Sequence, residues 1–123
     1  MVESLLDQPL HGVAPPEQIL LPPTQFCPNS PMPVLIYRDF FKDPRDPHKI
    51  RDHVESCGWV KMGPVWKATK ARHYHPNVHE CYVILSGSSH VLYGVGHADV
   101  GEDFDMDHPQ RGRTFTLNPG DVI

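Results

Sequence analysis

The sequence predicts a mainly β domain carrying one short helix. Three observations lead there. Fourteen prolines and nine glycines in 123 residues demand many turns and leave little room for helices. Short apolar runs rich in β-branched residues recur between turn residues, as strands do. A single stretch, near residues 47–57, has the apolar spacing and end signals of a helix.

The elements follow in order. Residues 1–16 are polar and include Pro15-Pro16, which predicts a flexible N-terminal arm ahead of one domain over 17–123. Glu17–Leu21 reads as a short strand stopped by Pro22-Pro23. Phe26–Pro33 is a proline-stiffened irregular stretch. Val34–Tyr37 is a strand of apolar and β-branched residues. Asp46 then offers an N-cap, and Pro47 takes the first helical position, where its missing N–H costs nothing. Ile50 and Val54 lie one turn apart with Cys57 near their stripe, and Gly58 supplies the left-handed end. His48 and His53 read as solvated positions on that helix.

Beyond Trp59 the pattern turns to strands near 59–66, 69–75, 79–86, 89–95 and 113–117. Breaks fall at Pro64, Pro76-Asn77, Ser86-Gly87 and the acidic loop 99–108. The carboxylates of that loop lack the ligand spacing and flanking helices of an EF-hand, so a solvated excursion is the expected reading.

Composition excludes several functions. A net charge of -4 and a pI near 6.1 do not suit a nucleic-acid-binding face. The apolar runs are too short for a membrane span, and the first residues lack a secretory pattern. Cys27, Cys57 and Cys81 are odd in number and widely spaced, without a zinc or redox motif. Reduced thiols in a cytoplasmic protein are expected.

The stretch His73-Tyr-His75-Pro-Asn-Val-His79-Glu80-Cys-Tyr-Val-Ile-Leu-Ser-Gly87 carries the chemistry. Alternate residues of a strand share a face, so His73 and His75 project together while Tyr74 points away. Pro76-Asn77 turns the chain. The returning run places Glu80, Tyr82 and Ile84 on one face and His79, Cys81, Val83 and Leu85 on the other. Two imidazoles and a carboxylate then converge. Such a set suits a divalent transition metal (Fe, Mn, Zn or Ni) and leaves coordination positions open. His79 faces away and is expected in a supporting or packing role. His90 reads as a strand residue, and His97 and His108 as loop residues.

The pattern His-x-His-x4-Glu-x6-Gly from His73 to Gly87 resembles the first motif of the cupin superfamily, the RmlC-like jelly rolls. With Phe26-Cys-Pro-Asn-Ser-Pro-Met-Pro-Val-Leu-Ile-Tyr-Arg38 and Cys57-Gly-Trp59, the chain is similar to the YjlB-like cupins. The resemblance runs from about residue 17 to the end. It implies a double-stranded β-helix, a jelly-roll barrel, with His73, His75 and Glu80 as metal ligands. It also implies a small-molecule substrate and, by looser analogy, tailoring in secondary, polyketide-like metabolism. Cupins commonly dimerise through their sheets, which makes a homodimer the expected assembly.

Two departures stand out. Lys67 occupies the place of a frequent glycine six residues before the first histidine. The second motif starts at Asn118-Pro-Gly-Asp-Val-Ile123, where the sequence stops before the strand and last histidine ligand found in the family. A barrel incomplete at the C-terminus is therefore expected, with an open edge and exposed apolar interior. It would be either a truncated product or one completed by a partner chain. The functional expectation is a metal-dependent oxidoreductase or isomerase. The alternative is a non-catalytic or degenerate cupin, either a small-molecule binder or an inactive product.

Overall fold

A computed structural model describes residues 14–63, 65, 67, 73–100, 105 and 111–123. The described residues are mainly β, with two small antiparallel sheets and one α-helix. Strand β1 (Glu17–Ile19) pairs with β2 (Val34–Ile36), Gln18 facing Leu35. Helix α1 spans Pro47–Ser56. Strand β3 (Ser89–Tyr93) pairs with β4 (Arg113–Leu117), Val91 facing Phe115 and Tyr93 facing Arg113. A single 3-10 turn, His97–Asp99, follows β3. Among the described residues these sheets do not close into a barrel.

The segment Asp121–Ile123 joins the parts. Val122 makes antiparallel bridges to Tyr37 on one side and Val83 on the other. Tyr82 and Ile123 exchange backbone hydrogen bonds of 2.8 and 3.0 Å, and Ile84 donates to Asp121 and accepts from Gly120. The pleat then sorts side chains into two cores. Tyr37, Val122 and Val83 pack with Phe40, Cys57, Trp59 and Cys81. Ile36, Ile84 and Ile123 pack on the other side with Ile19, Val91, Tyr93, Phe115 and Leu117. Val122 is therefore paired on both sides and buried.

Helix α1 begins and ends as its sequence requires. The Asp46 carboxylate accepts from the backbone N–H of His48 and Lys49, satisfying two otherwise orphaned donors. Gly58 takes a φ of 93° just past the end. His48 is exposed, as expected. His53 is not a solvated residue. Its ring stands edge-on to Phe40 and Phe41, with centroids 5.8 and 5.5 Å away, and its Nε2 is buried without a hydrogen-bond partner among the described residues. It follows Ile50 by three positions, so it shares the apolar face.

Asp121 fastens the turn that follows β4. Its buried carboxylate accepts from the backbone N–H of Asp39 and of Asn118, both at 2.8 Å, and from Arg38 Nη1 at 3.0 Å. Desolvation pushes this carboxyl up, but the hydrogen bonds from Asn118, Asp39 and Arg38 outweigh it and hold the group below the usual range. Asp39 itself takes a φ of 51°, a left-handed conformation that aspartate tolerates.

Three expected strands differ. Residues 59–63 form no strand, and Val60 and Met62 are exposed. Their alternating pattern finds no partner, and β-propensity without a neighbouring strand gives no ladder. Of 69–75, His73–His75 form no strand, and the rest lies outside the described residues. Within 79–86, pairing is confined to Tyr82–Ile84, opposite Asp121–Ile123. The N-terminal arm lies outside the described residues except for 14–16, and much of the acidic loop, His108 included, does so too. The three cysteines are free thiols. No described helix is long and apolar enough to cross a membrane.

Candidate metal centre

The bend at Pro76-Asn77 turns the chain back on itself after His75. The run leading to Ile84 is then fixed by its backbone bonds to 120–123. Because Cys81 and Val83 join one core and Ile84 the other, alternation places Glu80 and Tyr82 on the Ile84 side. That register delivers the Glu80 carboxylate to the histidines.

His73, His75 and Glu80 each offer a donor atom, and these atoms lie within 4.8 Å of one another. His75 Nε2 is 2.9 Å from Glu80 Oε1. The His73 and His75 rings meet edge-on, with centroids 5.1 Å apart and planes at 74°. Tyr82 donates its hydroxyl to the same Glu80 oxygen at 3.3 Å. The three donors predicted from the sequence are thus brought together, with Tyr74 exposed beside them.

The surroundings differ from expectation. All three donors are exposed, with side-chain exposures of 40 % for His75 and 38 % for Glu80. They stand on the surface rather than inside a closed sheet, because neither His73 nor His75 is held in a ladder that would carry it inward. His79 is exposed too. His90 pairs with Thr116 Oγ1 through Nδ1 at 3.2 Å, across the β3–β4 ladder, and His97 opens the 3-10 turn.

Two tyrosines border the donors. Burial, with the negative charge and hydrogen bond of Glu80 adding to it, pushes the Tyr82 phenol up. Burial pushes Tyr93 up to about 12, helped by Tyr82 and Glu80. Both phenols keep their protons at neutral pH and act as donors.

The donor set fits a divalent ion. Atoms sharing an ion at about 2.1 Å stand at most about 4.2 Å apart. Small side-chain rotations would bring the widest pair within that span.

Comparisons with protein-family models, with curated proteins and with solved structures found no match to this chain.

Sequence reasoning did not single out Asp99, the first carboxylate of the acidic loop. Its side chain accepts from Thr24 Oγ1, from Gly96 N at 2.7 Å and from Phe26 N at 3.3 Å. It ties the proline-rich segment to the turn after β3. No local pattern announces partners more than seventy residues away. Asn29, whose amide donates to the Gly94 carbonyl 65 residues on, was also unmarked.

Proposed function

We propose that the chain is a metal-binding cupin acting on a small organic molecule. The convergence of His73, His75 and Glu80 within 4.8 Å carries the reading. The two sheets, together with the bridges from Val122 to Tyr37 and Val83, are compatible with part of a jelly roll, the architecture the resemblance implies. The resident ion in this reading is Fe, Mn, Zn or Ni, all of which accept imidazole and carboxylate together.

A bound ion would supply Lewis acidity toward a carbonyl or enol oxygen, which suits oxidoreduction or isomerisation. The chain's own residues do the rest. Glu80 is steered by the Tyr82 hydroxyl on the oxygen that faces His75. Tyr82 and Tyr93 present neutral phenols, held in that form by burial and by Glu80. Such phenols can donate to an oxygen that gains negative charge.

The openness of the donors favours a second reading, a non-catalytic cupin that binds a metal or small molecule without turning it over. Enzymes exclude water from reacting groups, and these three groups are exposed.

Elemental analysis of the purified protein tests the ligand assignment. Wild type and His48→Ala should carry one equivalent of metal, and His75→Ala should carry none. Equal contents in all three would remove the site.

A further inference from the structure

A second feature shares no residue with the metal donors. A cleft of about 520 Å³ is lined by Leu20, Leu21, Pro22, Pro23 and Thr24 on one wall. Gly94 and the run Arg111–Arg113 form the other. We propose that it binds an amphiphilic organic anion, a carboxylate with an aliphatic tail.

The cleft is built rather than incidental. The Asn29 amide donates to the carbonyls of Pro22 and Gly94, both at 2.8 Å, so one side chain pins both walls. Asp99 adds a second clamp by accepting from Thr24 and Gly96. The base depends on glycine. Gly94 and Gly112 have φ of 94° and 78°. A Cβ on Gly94 would come within 3.1 Å of Leu21, and one on Gly112 within 2.7 Å of the Tyr93 carbonyl.

The chemistry of the walls selects the ligand. Leucine and proline offer aliphatic surface for a tail, and Leu21 also packs against the core beneath. The opposite wall carries two guanidinium groups in a chain of net charge -4. Arg111 is attracted to Asp99, a carboxylate already engaged by three donors. Arg113 has no ion pair among the described residues. Its guanidinium lies over the Phe115 ring, 5.7 Å from the ring centre, a contact that uses the face of the guanidinium system and none of its N–H donors. A carboxylate fits that fork in a bidentate manner, while a tail on the leucine–proline wall leaves water.

The test is titration calorimetry with sodium octanoate, well below its micelle concentration, against octanol and octyltrimethylammonium. Octanoate should bind saturably with one site per chain, and octanol and the cation at least tenfold more weakly. Arg113→Gln should weaken octanoate at least tenfold while its thermal midpoint stays that of wild type, because the side chain is exposed. His75→Ala should bind octanoate like wild type, which separates this site from the metal centre. Equal binding of octanoate and octanol, an unsaturable isotherm, or full affinity in Arg113→Gln would overturn the proposal.

Discussion

Val122 and Tyr37 exchange backbone hydrogen bonds in both directions, at 2.8 and 2.9 Å. Through this pair, β2 is joined to the run that holds Glu80, since Val122 also bridges Val83. The side chain of Val122 is 3 % exposed and fills the core between Phe40 and Cys57. Val122→Ala should cost about 2 kcal/mol, the scale of losing a fully buried valine contact. Urea denaturation should show a lower midpoint with an unchanged slope.

Gly120 permits the turn that brings this segment home. Its φ is 93°, and a Cβ there would lie 2.3 Å from the Phe41 carbonyl oxygen, whose own N–H donates to Gly120 at 3.0 Å. Gly120→Ala should destabilise by more than about 1 kcal/mol. A control at Gly87, where a Cβ meets nothing within 4 Å, should cost less, since only the strain of its positive φ remains. Thermal unfolding of the two variants checks the order.

Asp121 makes stability depend on acid. Its carboxyl is held below the usual range in the folded chain, because the donors from Asn118, Asp39 and Arg38 outweigh desolvation. A carboxyl with a depressed folded pKa contributes fully above the unfolded value, about 3.9. The contribution is lost as pH falls through the lowered folded value. Asp121→Asn should therefore lower stability at neutral pH and flatten the acid limb of the stability profile below about pH 4. Denaturation midpoints collected from pH 2 to 7 give the comparison.

Tyr82 supports the metal donors without replacing one. Its hydroxyl fixes the Glu80 oxygen that faces His75. Loss of such a supporting bond commonly weakens metal affinity by about 10- to 100-fold. Tyr82→Phe should fall in that range and keep one-to-one stoichiometry. Competition with a chromophoric chelator measures it.

Much of this was legible because it is local. Asp46-Pro47 and Gly58 mark the ends of α1, and β2, β3 and β4 sit in the apolar runs that announce them. The donors were legible because period two and the bend at Pro76-Asn77 bring residues seven apart together. What escaped is long-range. The alternation of Val60 and Met62 resembles a strand, yet strands exist only against partners. Asp99, Asn29 and Asp121 look like loop polar residues. Their partners lie as far as 83 residues away along the chain, and no window of sequence contains both ends. The burial of the donors was misjudged for a related reason. Facing one side of a strand says nothing of whether that side is covered.

Cobalt titration of the metal-free protein tests the shared site most directly. Visible d–d absorption should rise to a sharp end point at one equivalent in wild type. His73→Ala, His75→Ala and Glu80→Gln should each lose that end point while keeping the wild-type circular dichroism spectrum. An unaltered end point in any one of the three folded variants would contradict coordination of a single ion by residues 73, 75 and 80.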